Sequence, residues 1–263
     1  MNLIDTHCHL DSFGAELDSV LQRAKNAFVE AMIACGTEAT DWPLHYEISN
    51  RYPHIHYSVG IHPTNVTPNW EADLETLEQF FSKTPKPIAM GEIGLDYHGI
   101  IGDATVIIAR QKEAFRQQLA IARQRDCPII IHSRNAFEDC KTLIDQSQCN
   151  WEKIVIHCFS EDDVAIREIN SRGGRGSFTG IVTYKNAEKI RQALLAQGVE
   201  RLMLETDSPY LAPVPFRSKQ NEPAFVRETA RYVAKLLGVP ESELCTLTTQ
   251  NAKQFFHIKD LTK

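Results

Sequence analysis

The chain has 263 residues, 43% of them hydrophobic, and a formal charge of −6, enough length and apolar content for one large core. No run reaches the roughly 18 apolar residues of a membrane-spanning helix, and the N-terminus lacks the basic and apolar regions of a secretory signal, so a cytoplasmic protein is expected. The acidic balance excludes a global basic field, so a polyanionic substrate has to be held by local cations or by bound metal.

Short β-branched runs alternate with amphipathic stretches from end to end. Leu3 to His9 reads as a strand that closes on two histidines two apart. Alternation puts His7 and His9 on one face and Cys8 on the other, a ready pair of nitrogen ligands for a metal ion. Leu17, Val20, Leu21, Ala24 and Phe28 then recur at helical spacing, and Val29 to Cys35 is a buried strand. A polar helix from Asp41 to Arg51 precedes a third strand, Ile55 to Val59. Trp70 to Phe81 is helical with Leu74, Leu77 and Phe81 on one face, and Pro87 to Gly91 opens the fourth strand. The longest helix runs from about Thr105 to Arg125, with Phe115, Leu119 and Ala122 inward.

The second half keeps the rhythm. Strands are expected at Pro128 to Ile131, Lys153 to Ile156, Gly176 to Phe178 and Leu202 to Leu204. Helices are expected at Ala136 to Gln146, Val164 to Asn170 and Ala187 to Leu195. A further helix carries Val226, Thr229, Val233 and Leu237 and stops at Gly238, and the tail Gln250 to Phe256 forms one more. Eight βα units predict an α/β fold, a closed (β/α)8 TIM barrel in a single domain spanning 1–263. An open doubly wound sheet would carry a G-x-G-x-x-G turn after the first strand, and none is present. The Pro-rich loop from Pro209 to Pro223 is expected over the barrel mouth. Seven cysteines with no C-x-x-C pair suit reduced thiols better than a disulfide framework or a zinc cage.

In such a barrel the active site lies at the C-terminal ends of the strands. Ionisable residues fall there repeatedly: the fourth strand ends in Glu92, the fifth in His132, the sixth in His157 and the eighth in a run with Glu205 and Asp207, and His62 follows the third. By alternation Ile88, Met90 and Glu92 share a face, as do Ile130 and His132, Val155 and His157, and Met203, Glu205 and Asp207. Closure turns those faces to one lumen. Four histidines and two carboxylates (His7, His9, His132, His157, Glu92, Asp207) suit two divalent cations and a bridging water. Asp5 lies deeper, where it is expected to orient a ligand histidine. Glu205 reads equally as a ligand or as a supporting residue. Cys8 and Cys158 are expected to face away from the lumen into the core, Asp96 and Tyr97 to hydrogen-bond within a loop, and Asp162-Asp163 to cap a helix start.

Taken together, Asp5-Thr6-His7-Cys8-His9, Gly91-Glu92-Ile93-Gly94-Leu95-Asp96-Tyr97, Ile131-His132-Ser133-Arg134, His157-Cys158-Phe159 and Glu205-Thr206-Asp207-Ser208-Pro209-Tyr210-Leu211 resemble the TatD-type metal-dependent deoxyribonucleases, within the amidohydrolase-like metal barrels. The resemblance runs over the whole chain, to Asn251-Ala252. It implies a two-metal phosphodiester hydrolase, with His7, His9 and Asp207 on one metal, His132 and His157 on the other, and Glu92 bridging. It also implies His62 near the scissile phosphate and Asp207 as acceptor of a proton from the attacking water. Arg217-Ser218-Lys219-Gln220-Asn221 and Glu161-Asp162 depart from the family's usual pattern in mouth loops, where they bear on substrate preference.

The expected activity is exonucleolytic hydrolysis of DNA, with a single strand end as substrate, two divalent ions (Mg, Mn or Zn) as cofactors, and no membrane or protein partner indicated. Arg134, Lys185, Arg217 and Lys219 are candidate phosphate contacts or solvated loop cations. Two readings compete. The same centre could hydrolyse an ester or amide, but the cyclic-amide branch of these barrels uses a carbamylated lysine where this chain has Glu92. A non-catalytic metal-binding barrel is the third reading, against which the ligand set stands complete.

Overall fold

A computed structural model describes residues 2–259. Met1 and residues 260–263, which the sequence reading places in the same domain, lie outside the described residues. The strands are β1 (Leu3–Cys8), β2 (Val29–Cys35), β3 (Ile55–Val59), β4 (Ala89–Asp96), β5 (Ile129–Arg134), β6 (Ile154–Ile156), β7 (Arg175–Phe178) and β8 (Met203–Leu204). All pair in parallel, in the order of the chain. Among the described residues the helices are α1 (Leu17–Asn26), α2 (Trp42–Arg51), α3 (Trp70–Phe80), α4 (Ala104–Arg125), α5 (Phe137–Ser147), α6 (Asp163–Arg172), α7 (Glu188–Gln197), α8 (Val226–Leu237) and α9 (Glu241–Phe256). None of them is long and apolar enough to cross a membrane. The architecture is the (β/α)8 barrel expected from the alternating pattern.

Two apolar layers follow from strand alternation. Ile4, Ala31, Ile33, Cys35, Ala89, Ile130, Val155 and Met203 point into the barrel and pack with Ala252, Phe255 and Phe256 of α9, which closes the floor. Their neighbours along the strands, such as Leu3, Met32, Ile129, Ile131, Ile154, Ile156 and Leu204, face the helices. Each such aliphatic side chain, fully buried, contributes roughly 1.5–3 kcal/mol. Helix ends are set locally: Asp103 accepts from the N–H groups of Thr105 and Val106 to start α4, and Gly238 takes a left-handed conformation to end α8. Asp162 caps α6 through Ala165 N–H, as expected of the Asp162-Asp163 pair.

The barrel closes between β1 and the segment after β8. Asp5 Oδ1 accepts from Thr206 N–H at 2.8 Å and Asp5 Oδ2 from Thr206 Oγ1 at 2.6 Å. Asp207 N–H donates to His7 O at 2.9 Å, and His9 N–H to Ser208 O at 2.8 Å. Asp5 therefore holds this seam. It touches His7 only at the backbone N–H, 3.4 Å away, rather than at the imidazole it was expected to orient. Enclosed on every side, it has its carboxyl pushed up to about 8, burial being the largest cause.

Met90 faces the helices while Ala89 faces the lumen, so alternation does not carry through to Glu92. The β4–β5 register shifts between Met90 and Ile93, and the bulge turns Glu92 inward. A similar shift between Asp5 and Cys8 turns His7 inward although Ile4 already faces the lumen. Phe28 lies beyond the end of α1 at a positive φ of 62° with an exposed ring, outside the buried stripe. α9 begins at Glu241, well before Gln250. The seven cysteines are free thiols, as expected.

Candidate metal centre

Ring nitrogens and carboxylate oxygens from β1, β4, β5 and the segments after β3, β6 and β8 meet at the C-terminal mouth. Glu92 is the hub. Its Oε2 lies 3.2 Å from His7 Nε2 and 3.8 Å from His9 Nε2. Its Oε1 lies 2.6 Å from His157 Nε2, 2.8 Å from His132 Nδ1 and 3.4 Å from His62 Nε2. Asp207 Oδ1 completes the first group, 3.4 Å from His9 Nε2 and 3.6 Å from His7 Nε2. The two halves touch where the His7 ring stacks on His157, with centroids 4.0 Å apart. His7, His9 and Asp207 form one cluster with metal-ligand spacing, and His62, Glu92 and His132 another.

The backbone that presents these groups is specialised. Asp207 sits at φ 56°, in the left-handed region that Asp tolerates better than most residues. Gly94, at φ 146°, lies against β5 so closely that a Cβ would stand 2.0 Å from His132 O. Only glycine lets β4 approach the strand that carries His132.

Behind three of the imidazoles stands a hydrogen-bonding neighbour for the other nitrogen. His9 Nδ1 lies 3.2 Å from Cys35 O, and His132 Nε2 3.1 Å from Asp96 Oδ2. His62 Nδ1 accepts from Thr64 N–H at 3.2 Å, which leaves its proton on Nε2, aimed at the centre. Glu205 Oε1 accepts from Cys158 N–H at 2.6 Å and stands 3.6 Å from His157 Nδ1, and its Oε2 accepts from Ser177 Oγ at 2.5 Å. Although Glu205 groups with His7 and His157 at ligand spacing, both its oxygens are engaged with protein donors. Glu205 thus stands behind the His157 ring, close enough for its charge to act on the imidazole but not within hydrogen-bond distance. His7 Nδ1 has no partner among the described residues.

Electrostatics tie the set together. Burial pushes Glu92 up, but His157, His62 and His7 outweigh it and hold the carboxyl well below the ordinary range. Asp207, likewise buried, is held low by its hydrogen bond to His9 and by the neighbouring histidines. Burial disfavours a charged His9, yet Asp207 and Glu92 lift it to about 9, and Glu92 with Glu205 lifts His157 well above its usual value. His7 and His62 are lowered, burial being the first cause. Two anionic carboxylates thus draw positive charge onto the ring nitrogens that surround them. Histidine nitrogen with carboxylate oxygen is the donor set of Zn, Mn and Fe sites, and the arrangement fits divalent cations.

The centre lies at the bottom of a cavity of about 650 Å³ whose wall includes His9, His62, Glu92, His132, His157 and Asp207. Arg134 is on that wall and, among the described residues, is the one Arg or Lys there. Arg217 and Lys219 are exposed outside it, the Arg217 guanidinium 3.8 Å over the Tyr184 ring and Lys219 Nζ 5.1 Å from the Phe216 ring centre. Lys185 is exposed and also off the wall. Cys158 belongs to the wall rather than the core, because β6 ends at Ile156 and a positive φ of 45° at Cys158 breaks the alternation. Asp96, read as a loop residue, is the last residue of β4 and grips His132. Its even spacing from Glu92 was the available signal. Asp11, Thr37, Asn65 and Tyr210 are wall residues that sequence reasoning did not single out as site residues.

The chain is similar to known proteins over nearly its whole length. The chain is 36% identical over 258 residues to the protein named uncharacterized metal-dependent hydrolase YabD from Bacillus subtilis (strain 168), covering 97% of this chain and 99% of that one. It is 29% identical over 255 residues to the 3'-5' ssDNA/RNA exonuclease TatD of Erwinia tasmaniensis, covering 94% and 95%. The crystal structure of YJJV, a TatD homologue from Escherichia coli K12, superposes with a TM-score of 0.90 at 28% identity over 98% of each chain. The family described as TatD related DNase matches residues 4–257, and this chain belongs to that family.

Proposed function

We propose that this TatD-family metal-dependent hydrolase removes nucleotides from a single-stranded DNA end, in the 3'-to-5' direction named for its Erwinia relative. The observation that carries the reading is the divided carboxylate of Glu92, with one oxygen toward His7 and His9 and the other toward His132 and His157. A carboxylate that serves two ligand groups is suited to bridge two cations. His7, His9 and Asp207 would hold one, and His132 and His157 the other. When bound, two divalent ions lower the pKa of water and neutralise charge at the phosphoryl and leaving oxygens.

The remaining steps fall to the chain's own groups. His62 presents an Nε2 proton toward the centre, positioned to donate to a phosphoryl oxygen. Arg134 is exposed on the wall, where its charge acts on Asp96, and its guanidinium is placed to take the phosphate. Asp207 directs Oδ1 to His9, and its carboxylate accepts the proton of the attacking water. Arg217 and Lys219 lie beyond the rim and would meet the strand further from its end. Four carboxylates line the wall (Asp11, Glu92, Asp96, Asp207) against one arginine. That balance disfavours non-specific duplex binding and leaves the substrate's charge to be met at the centre. Among the described residues no lysine reaches the wall, which leaves the carbamylated-lysine bridge of the cyclic-amide branch without a donor.

The test is digestion of 5'- and 3'-labelled single- and double-stranded DNA with Mg, Mn or Zn and with EDTA. Stepwise loss of 3' nucleotides from single strands, abolished by EDTA, is the expected result. Turnover of esters or cyclic amides without any DNA cleavage would replace this reading.

A further inference from the structure

The cavity has two unlike sides. The ends of β3 to β5 supply polar groups, whereas the segments after β7 and β8 supply Ile181, Tyr210 and Leu211. Tyr210 stands out because its backbone is fixed and its ring is free. Its N–H donates to Asp207 O at 2.9 Å, and its carbonyl accepts from Asn221 Nδ2 at 2.5 Å. The same amide donates to Thr206 O at 2.9 Å. Tyr210 is 60% exposed and belongs to neither apolar layer, and its hydroxyl makes no hydrogen bond among the described residues. It stands edge-on to His9 with centroids 6.1 Å apart. Nothing in the packing of the fold uses this side chain.

The wall behind it is preformed. Val214 N–H donates to Thr183 Oγ1 at 2.9 Å and the Tyr184 hydroxyl to Ala212 O at 3.0 Å, joining the segments after β7 and β8. Gly180 lies so close that a Cβ would stand 2.6 Å from Leu211 O.

We propose that Tyr210 is the stacking platform for the terminal nucleobase of a single-stranded substrate, seated beside His9 and Asp207 so that the adjoining phosphate falls at the carboxylate–histidine centre. The proposal rests on the nuclease reading above and adds a base subsite to it. A ring on a fixed backbone loses little freedom on binding. Every base has a π face, so stacking holds the strand end without choosing a sequence. The β5 side, across the cavity, carries Arg134, and base and phosphate are thereby assigned to opposite walls.

The experiment measures equilibrium binding of a phosphorothioate-linked, internally labelled single strand to metal-loaded protein. The parent chain, Tyr210→Ala and Tyr210→Phe are compared on a normal strand and on one whose two terminal nucleotides lack their bases. Tyr210→Ala should weaken binding of the normal strand by about 5- to 150-fold, the range for one base–aromatic stack, and Tyr210→Phe should restore it. On the strand with abasic ends the difference between Ala and Phe should vanish. With unmodified DNA the Ala substitution should raise KM and leave kcat nearly level. A difference that persists on abasic ends, or no difference on normal ends, overturns the stacking role while the nuclease reading stands. Failure of the parent chain to degrade unmodified DNA overturns both.

Discussion

Asp96 Oδ2 lies 3.1 Å from His132 Nε2, which leaves His132 Nδ1 to face Glu92 Oε1 at 2.8 Å. The carboxylate fixes which ring nitrogen is presented and raises its basicity. Asp96→Asn keeps the shape and removes the charge. Metal affinity should fall by about 10- to 100-fold, the usual cost of losing such a partner, measured by calorimetric titration with Mn or Zn. Unchanged affinity would mean that packing alone holds the ring.

Glu92 and Glu205 are both buried carboxylates near His157, but only Glu92 divides its oxygens between two histidine groups. Glu92→Gln leaves a single good ligand oxygen and no charge. The variant should retain fewer metal ions per chain than Glu205→Gln, by elemental analysis after equal dialysis. Equal occupancy in the two variants would count against a bridging role.

Asp207→Asn preserves size and hydrogen bonding but cannot take a proton. A positioned base contributes about 10²–10⁴-fold, so kcat on single-stranded DNA should drop by that order. Strand binding should survive through His62, Arg134 and Tyr210. Near-parental turnover would remove Asp207 from proton transfer, and complete loss of metal would make it a ligand first.

His45 is fully buried in α2, with Nε2 3.4 Å from Asp11 Oδ1 and neither ring nitrogen hydrogen-bonded. Burial outweighs the Asp11 charge and lowers its pKa from 6.5 to about 4. Above the unfolded value both states are neutral. As pH falls from 6.5 toward 4 the unfolded chain gains a proton that the folded chain refuses, so stability declines across that window. At 1.36 kcal/mol per unit the full loss is about 3 kcal/mol. His45→Gln should flatten that decline in urea unfolding of metal-free protein between about pH 7 and about pH 4.5. Parallel curves for parent and variant would assign the acid sensitivity elsewhere.

Most of the strands were legible because they are short apolar runs stopped by a turn residue or an ionisable group, as in Ile129 to His132, whereas the seventh, Arg175–Phe178, carries only a weak signal. The histidines announced themselves at strand ends, and a closed barrel leaves them few places to point. What stayed hidden depends on breaks in alternation. The bulges before His7 and Glu92 shift the inward face by one residue, and nothing in a pattern of twos marks where that happens. Cys158 was lost the same way, through one left-handed residue. Asp96 was missed because the fourth strand was expected to end at Glu92, whereas Gly94 lets β4 run on against β5 to Asp96. Ahead of Gln250, α9 carries Thr246, Thr248 and Thr249, weak helix formers, and burial of Leu244, Cys245, Thr248 and Thr249 overrides that propensity.

Phe255 and Phe256 fill the barrel below the centre, so among the described residues the barrel axis is closed on that side. On the nuclease reading, a strand cannot thread through it, and the severed nucleotide has to leave by the opening its parent strand occupies. On that reading each cut ends with strand and product sharing the mouth of the barrel. The chain would shorten its substrate by repeated departure and return, in separate visits, and not in one long run.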